Sequence, residues 1–305
     1  MIPTTIPHGR TARRLEWVHL PPHIRAAVES RLGSPVVESE SRTSGFTPGL
    51  ASVLVCADGS RHFVKAASTV AQKTFAGAYR EEARKLRLLP PAVPAPRLQW
   101  VHDADDWVVL GFEYVDGRPP GRPWTAADLA AASAMVVETA GLLTPAPAGI
   151  ETAAEAFGDW PALWERIDDP HAAECRALTV RFEDVVAGDT LVHCDLRDDN
   201  LIIRADGSVV ACDWNWPVVG AAWLDSLFLL IGPRGDGLDV QAHLADHPML
   251  SRVDPEAIDV ALALILGYFA ASAALPVPTT SPYIRDVQGW QRDVVRDWLA
   301  ERRGW

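Results

Sequence analysis

The chain has 305 residues and a formal charge of −12, because 40 Asp and Glu residues outnumber 28 Lys and Arg residues. Its 48% hydrophobic and 22% charged residues are typical of a globular protein with room for a substantial core. A pI near 5.2 argues against duplex nucleic acid or an anionic membrane as the main partner, since both require clustered Lys and Arg. A cationic small molecule remains compatible with this charge.

The sequence predicts a cytoplasmic protein. The basic residues near the N-terminus are not followed by an apolar core, so we expect no secretory signal. The longest apolar stretch, residues 260–275, contains Gly267 and Ser272 and stops at Pro276, which favours a buried helix over a membrane span. The four cysteines form no C-x-x-C pair, which fits a reducing compartment.

The first third of the chain has mainly strand patterns. Residues 51–56 and 61–65 flank an Ala-Asp-Gly-Ser turn and predict a β-hairpin. A helix is predicted over about residues 70–89, before a Pro-rich segment. Residues 98–102 and 107–115 predict a second strand pair.

The composition changes after Val115. Residues 116–123 are rich in Pro and Gly and predict a connection. One hairpin is predicted around the second Ala-Asp-Gly-Ser turn, at 205–208. We therefore divide the chain into a small sheet-rich lobe over 1–115, with 1–35 as an N-terminal extension, and a helical lobe over 116–305. The predicted helices of the second lobe lie near residues 125–142, 171–187, 253–275 and 286–302.

A cluster of polar residues lies around this hairpin. His193 and Asp195 follow an apolar run, Asn200 precedes the hairpin, and Asp213 follows it. Folding the hairpin back brings Asp213 beside Asp195 and Asn200. Clustered carboxylate and amide oxygens suit Mg²⁺ that also holds phosphate oxygens. A further carboxylate can orient a hydroxyl group and accept its proton.

The order His193-x-Asp195-x-x-x-x-Asn200 with a downstream Asp213 resembles the catalytic and metal-binding loops of protein kinases and of the aminoglycoside phosphotransferase/choline kinase family. The dipeptide Asp213-Trp214 resembles the small-molecule branch, and no Ala-Pro-Glu motif follows. This resemblance implies an α+β, protein-kinase-like bilobal fold, with a small antiparallel-sheet N-lobe containing one key helix and a larger, mainly helical C-lobe. The N-terminal lobe over 1–115 would bind the nucleotide, and the lobe over 116–305 would hold the catalytic residues and bind the acceptor.

The resemblance also implies functions for individual residues. Asp195 is the expected catalytic residue, and Asn200 and Asp213 are the expected metal ligands. Lys65 would hold the α- and β-phosphates of ATP or GTP and pair with Glu82, with Glu81 as the alternative partner.

Two segments are predicted to contact the nucleotide. A flexible turn over the phosphates would consist of Ser44, Gly45, Phe46, Thr47 and Gly49. The end of a strand would offer backbone groups to the base at Glu113, Tyr114 and Val115.

Three further residues have supporting functions in this interpretation. His193 holds the loop by hydrogen bonds. Arg197 contacts the transferred phosphate, or pairs with Asp198 or Asp225. Asp225 braces the catalytic loop or caps the following helix.

The acceptor is a small hydroxyl-bearing molecule, and its identity stays open. We expect one or two of four tryptophans to line the acceptor site: Trp160, Trp164, Trp216 and Trp223. Asp159 is a further candidate for that site. Acidic residues near that site favour a cationic acceptor, such as an aminoglycoside or another cationic antibiotic, unless they only solvate the surface: Asp159, Glu165, Asp168, Asp169, Asp236 and Asp239.

The predicted function is transfer of the γ-phosphoryl group of ATP to that hydroxyl, with Mg²⁺, by a monomer or homodimer. A sugar, a choline-like alcohol or homoserine is an alternative acceptor in the same fold. A non-catalytic nucleotide-binding pseudokinase and a metal-dependent hydrolase are the alternatives of other classes.

Overall fold

The computed structural model describes residues 1–7 and 9–305. Its N-terminal part contains a five-stranded antiparallel sheet with the strand order β1-β2-β3-β5-β4. The predicted hairpin is confirmed: β2 and β3 pair from Leu50↔Ala66 to Val55↔Arg61, and Gly59 in the turn has a φ of 85°, which glycine adopts without strain. The strands are β1 (Val36–Ser41), β2 (Leu50–Cys56), β3 (Arg61–Ser68), β4 (Leu98–Ala104) and β5 (Trp107–Glu113).

Helices cover both faces of this sheet. Helix α1 (Pro22–Leu32) packs on one face through Ile24 and Val28. Helix α2 (Lys73–Leu86) packs on the other through Ala76, Tyr79 and Ala83. Helix α1 was not predicted, because two buried positions in 11 residues give a weak periodic signal.

The C-terminal part is mainly helical, with two small β-ladders. The predicted helix at 171–187 is wrong in one respect, since the chain breaks into two helices around Val180 and Arg181. The elements are α3 (Ala126–Leu142), α4 (Ala153–Ala156), α5 (Trp160–Leu163), α6 (Ala172–Thr179), α7 (Phe182–Val186), β6 (Thr190–Val192), β7 (Leu201–Ile203), β8 (Val209–Ala211), β9 (Val218–Gly220), α8 (Leu224–Leu229), α9 (Ile231–Gly235), α10 (Val240–Asp246), α11 (Pro255–Ala273) and α12 (Ile284–Arg303).

Helix α11 forms the centre of the C-terminal core. Within residues 1–7 and 9–305 it is the one helix long and apolar enough to cross a membrane, but 67% of its apolar window is buried inside the protein. It packs against α5, α6, α7 and α12. Its Asp259 accepts a hydrogen bond from Arg302 of α12 at 2.5 Å. These contacts are those of a buried core helix, as predicted.

The segment between the two parts is held by the helical part. Arg118 exchanges two backbone hydrogen bonds with Ile203 of β7, at 3.0 and 2.7 Å. Its guanidinium also donates to the Asp128 carboxylate of α3. Residues of the sheet and of the helical part line a common cleft, and the predicted bilobal fold class is confirmed. The lobe boundary at residues 115 and 116 stays a prediction.

Candidate active site

The cleft between the two parts has a volume of about 430 Å³ and two chemically different ends. Apolar side chains of the sheet, including Val53, Phe63 and Phe112, form one end. The predicted strand-end residues Glu113, Tyr114 and Val115 lie there too, just after β5. Charged residues of the segment 193–213, among them Asp199 and Asp213, line the other end. An apolar end beside a charged end suits a ligand with a flat base and an anionic tail.

Lys65 connects the sheet to the segment 193–213 through Asp213. It lies inside β3, which continues to Ser68, rather than at the strand end that the sequence predicts. Its Nζ donates to Glu82 Oε1 of α2 at 2.7 Å and to Asp213 Oδ1 at 2.6 Å. Glu81 does not share this arrangement, because it is exposed and pairs with Arg84. The partner of Lys65 on α2 is thus Glu82.

The charge of Lys65 is set by its two carboxylate partners. Burial lowers the pKa of Lys65, but Asp213 and Glu82 more than offset it and hold that pKa above its ordinary range. Burial also raises the pKa of Glu82, against the opposing effect of Lys65. Lys65 is therefore a permanent cation at neutral pH.

Asp195 is joined to the cleft through Asn200, which lines it. The Nδ2 of Asn200 donates to the main-chain carbonyl of Asp195 at 2.9 Å and to its Oδ2 at 3.1 Å. Burial raises the pKa of Asp195 to about 7; Arg197 lowers it, and Asp199 and Asp213 raise it further. A carboxylate with this pKa can act as a base near neutral pH.

Arg197 has other partners than those predicted. It donates to Asp195 Oδ1 at 2.5 Å and to Asp199 Oδ1 at 2.9 Å, not to Asp198 or Asp225. The reason is geometric, since residues 198–200 form a 3₁₀ turn that brings Asp199 beside Arg197. Asp198 pairs instead with Arg122.

The turn before Asp195 is held by buried hydrogen bonds. Cys194 has a φ of 64°, a conformation that L side chains rarely adopt. The Asp225 carboxylate stabilises this turn by accepting the backbone N–H groups of His193 at 2.6 Å and Cys194 at 2.8 Å. Asp225 lies inside α8, whose N-cap is Trp223, so the helix-cap alternative is wrong.

His193 is enclosed by the same loop. Its Nδ1 accepts the backbone N–H of Asp195 at 3.2 Å, and its Nε2 lies 2.9 Å from the Cys212 carbonyl. These contacts assign the proton to Nε2. Burial lowers the pKa of His193, which keeps the ring neutral. The geometry is that of a residue that positions the loop.

Asp213 reaches the site because the β7–β8 hairpin folds back, as the sequence predicts. The backbone N–H of Cys212 donates to the Asn200 carbonyl at 2.8 Å, which places the hairpin's exit beside Asn200. Asp213 has a φ of 67°. Its Oδ1 accepts from Lys65 and, at 2.5 Å, from Asn215 Nδ2.

The oxygen atoms of Asn200 and Asp213 can be compared with the ligands that Mg²⁺ requires. The Nδ2 of Asn200 faces Asp195, which leaves the amide oxygen as an acceptor, and Asp213 carries a second carboxylate oxygen. No group of three or more His, Cys, Asp or Glu side chains that could hold a metal occurs in residues 1–7 and 9–305. Two oxygen ligands fit Mg²⁺ that completes its shell with phosphate and water, not a metal held by protein alone.

The turn predicted over the phosphates lies between β1 and β2. Ser44, Gly45, Phe46 and Thr47 line the cleft. Gly49 does not; it packs against Tyr79, and a Cβ there would lie 2.6 Å from the Tyr79 hydroxyl.

Sequence reasoning missed two charged residues at this turn. The Nη2 of Arg14 donates to the Ser44 carbonyl at 2.7 Å, and Asp199 Oδ2 would lie 3.7 Å from a Cβ on Gly45. Asp199 adjoins the recognised Asn200 and could have been included. Arg14 lies far from every motif, so no local pattern indicates it.

The acceptor candidates are only partly supported. The prediction for Trp164 is wrong, because this side chain is buried in the core, where its Nε1 donates to the Ala263 carbonyl. Trp223 packs against the same core. Asp159 and Trp216 are exposed. None of these four lines the cleft described above, and neither does Trp160.

Trp160 is the remaining candidate. Its ring stacks on Phe157 at 4.3 Å and on Tyr268 of α11 at 4.5 Å, measured between ring centroids. Burial raises the pKa of Tyr268, and the charges of Asp195 and Arg197 also act on it. Tyr268, which the sequence did not single out, therefore lies within electrostatic range of Asp195 and Arg197.

Most of the acidic candidates have structural partners. Glu165 pairs with Arg176, and Asp169 pairs with Arg296 of α12. Asp239 caps α10 through the backbone N–H of Ala242. Asp236 accepts the backbone N–H of Trp124 and lines a smaller cavity of about 70 Å³, which borders Arg197 and Asp199. The charge left to select a cation is smaller than the sequence suggests.

The fold is the protein-kinase-like fold that several solved small-molecule phosphotransferases also have. No protein-family model matches the sequence, and no curated protein matches it. Solved structures match with probability 1.00. The resemblance inferred from the motifs is therefore confirmed at the level of the fold.

Three of these structures are representative. Choline kinase LicA from Streptococcus pneumoniae has a TM-score of 0.63 and 14% identity, with 92% of this chain and 99% of that chain covered. An aminoglycoside phosphotransferase from Alicyclobacillus acidocaldarius has a TM-score of 0.57 and 16% identity, with 88% of this chain and 92% of that chain covered. An amicoumacin kinase in complex with AMP-PNP, Ca²⁺ and Ami has a TM-score of 0.57 and 14% identity, with 90% of this chain and 93% of that chain covered.

Proposed function

We propose that this protein transfers the γ-phosphoryl group of ATP to a hydroxyl group of a small molecule. One observation carries the proposal: Lys65 joins Glu82 and Asp213 in the cleft, while Asn200 of that cleft holds Asp195. A cation for phosphate, oxygen ligands for a metal and a base for a hydroxyl are the parts that phosphoryl transfer requires.

The nucleotide would lie along the cleft with its base at the apolar end. Phe63 and Phe112 would contact the base, and the backbone near Glu113–Val115 would hydrogen-bond its edge. Lys65 would hold the α- and β-phosphates, and residues 44–47 would cover them. The amicoumacin kinase with AMP-PNP supports this use of the fold.

Asn200 and Asp213 would hold Mg²⁺. The ion would neutralise phosphate charge when bound. This chain contributes the position of both ligands: Asp195 fixes the Asn200 amide, and Lys65 and Asn215 fix the Asp213 carboxylate.

Asp195 would orient the acceptor hydroxyl and take its proton as the oxygen bonds to phosphorus. Its raised pKa makes it a stronger base than an ordinary aspartate. Arg197, held between Asp195 and Asp199, would stabilise charge on the transferred group. Because the transition state is loose, positioning and charge neutralisation provide most of the catalysis.

The acceptor class rests on fewer observations. The choline, aminoglycoside and amicoumacin kinases show that the fold serves different small molecules. The acidic residues expected to select a cation are mostly engaged with partners. The stacked rings of Trp160 and Tyr268 offer an apolar surface that a sugar ring can pack against. Aminoglycosides, other cationic antibiotics, sugars, choline-like alcohols and homoserine all belong in the first acceptor panel.

The test combines binding and turnover. Thermal unfolding is measured with Mg²⁺ alone and with Mg²⁺ plus a non-hydrolysable ATP analogue, and ADP formation is measured across the acceptor panel. We expect stabilisation by the analogue and acceptor-dependent ADP formation. Stabilisation without transfer to any acceptor would instead indicate a pseudokinase. Hydrolysis of phosphoesters with metal alone would indicate a metal-dependent hydrolase.

A further inference from the structure

The N-terminal extension crosses from the helical lobe to the sheet and passes over the cleft. We call residues 9–20 the strap. At one end, the backbone N–H of Arg13 donates to the Thr280 carbonyl at 2.8 Å. At the other, Trp17 and Leu20 are buried against the sheet with α1. The strap is therefore fixed on both sides of Arg14.

Arg14 enters the charged end of the cleft beneath the turn between β1 and β2. Its Nη2 donates to the Ser44 carbonyl at 2.7 Å, and Thr11 Oγ1 donates to the Gly45 carbonyl at 2.6 Å. A Cβ on Gly45 would lie 2.9 Å from Arg14 Nη2. The strap thus holds the guanidinium of Arg14 in contact with the turn at residues 44–47.

The guanidinium of Arg14 has unused hydrogen-bonding capacity. Its Nε is buried and has no hydrogen-bond partner. A buried N–H of a charged group without a partner is costly, and such groups in native proteins usually mark a ligand or a mechanism. Burial lowers the pKa of Arg14, and the charges of Asp213 and Asp199 oppose that effect. The positive charge of Arg14 is therefore within electrostatic range of Asp199 and Asp213.

Arg14 also differs from the other cations of the cleft. Lys65 pairs with Glu82 and Asp213, and the remaining arginines that line the cleft each pair with one carboxylate: Arg42 with Glu40, Arg118 with Asp128, and Arg122 with Asp198. Within residues 1–7 and 9–305, Arg14 is the one cleft-lining cation without a carboxylate oxygen within 4.0 Å. It is the cation most available to an incoming anion.

We propose that Arg14 is a phosphate-binding residue of the nucleotide site, delivered by the strap, and that its guanidinium donates to a β- or γ-phosphate oxygen of a bound nucleoside triphosphate. This inference rests on the proposed function. The fork of a guanidinium matches phosphate oxygens better than an ammonium group does. Arg14 and Lys65 then hold the polyphosphate from two different parts of the chain, and Arg14 distinguishes triphosphate from monophosphate.

The test measures Mg²⁺–ATP and AMP binding by calorimetry on the full chain. The variants are Arg14→Gln, Arg14→Lys and the matched control Arg13→Gln, which removes the same charge from the neighbouring, exposed position. Arg14→Gln is expected to weaken ATP binding by about tenfold or more, since a charge-assisted hydrogen bond to phosphate is lost. AMP binding is expected to change less than about twofold. Arg14→Lys should retain part of the ATP affinity, and Arg13→Gln should bind both ligands as the parent does.

Each other outcome overturns the inference. Equal ATP affinity in Arg14→Gln and the parent would show that Arg14 does not contact the phosphates. Equal losses for ATP and AMP, with a lowered unfolding temperature, would show that Arg14 only holds the strap and the turn. If the parent chain binds no Mg²⁺–ATP, the proposed function fails and this inference fails with it.

Discussion

The transfer end of the cleft and the acceptor side differ in how their residues are placed along the chain. At one end of the cleft, Asp195, Asn200 and Asp213 lie within one short segment, and Lys65 of β3 donates to Asp213 at 2.6 Å. On the acceptor side, Trp160 and Tyr268 come from α5 and α11, more than a hundred residues apart in the sequence. Three of the proposed transfer residues are therefore close together in the sequence, whereas the proposed acceptor residues come together only by long-range packing. Substitutions at the two sites should separate turnover from acceptor affinity.

The largest effect is expected for Asp195→Asn. The variant keeps the shape of the side chain but cannot accept the hydroxyl proton, so kcat should fall by roughly 10²- to 10⁴-fold. Binding of Mg²⁺–ATP should persist, as measured by calorimetry. The control is Asp206→Asn in the exposed β7–β8 turn, where the carboxylate accepts only from Ser208. A parental kcat in Asp195→Asn would remove Asp195 from the chemistry.

A smaller effect is expected for Glu82→Gln, on the nucleotide side. The substitution removes the charge that orients Lys65 from α2, so kcat/KM for ATP should fall by about tenfold to a hundredfold. The neighbouring Glu81→Gln provides a matched control, since Glu81 pairs with the exposed Arg84. Steady-state kinetics with ATP as the varied substrate will compare them. Equal losses in both variants would mean that the Lys65–Glu82 pair has no special function.

The pH dependence of turnover tests the environment of Asp195. The carboxyl must be deprotonated to act as a base, and burial raises its pKa to about 7 from the ordinary value of 3.8. Activity should therefore be present above this pKa and be lost as pH falls, by about tenfold per unit well below the midpoint. The pH profile of kcat/KM measures this directly. A midpoint near the ordinary value would show that nearby cations outweigh burial.

The smallest effect is expected on the acceptor side. Trp160→Ala removes the ring stacked on Tyr268, and we expect KM for the acceptor to rise by about two- to tenfold. KM for ATP should not change. Trp305→Ala is the control, since Trp305 also stacks on a ring, that of His171, at 4.2 Å. If Trp160→Ala changed only the KM for ATP, Trp160 would belong to the nucleotide site and not to the acceptor site.

The sequence predicts the transfer end well because short-range geometry determines it. The turn at 205–208 requires the hairpin to fold back, and this places Asp213 beside Asn200. The pattern around Lys65 and Glu82 is likewise set by one strand and the helix that packs on it.

The remaining parts depend on contacts that a local pattern does not contain. Trp164 and Trp160 have similar sequence surroundings, but α11 buries the first and stacks on the second. The partners of Arg197 depend on a 3₁₀ turn that the sequence does not mark. Arg14 reaches the cleft only because both ends of the strap are fixed elsewhere.

The most direct test of the central claim follows the γ-phosphoryl group itself. The protein, Mg²⁺, ATP and the best acceptor of the panel are incubated in water enriched in heavy oxygen, and the products are followed by phosphorus NMR and mass spectrometry. We predict one phosphate ester per ADP, with no heavy oxygen in the ester, because the acceptor's own hydroxyl attacks phosphorus. Inorganic phosphate that carries heavy oxygen, with the acceptor unchanged, would contradict a phosphotransferase.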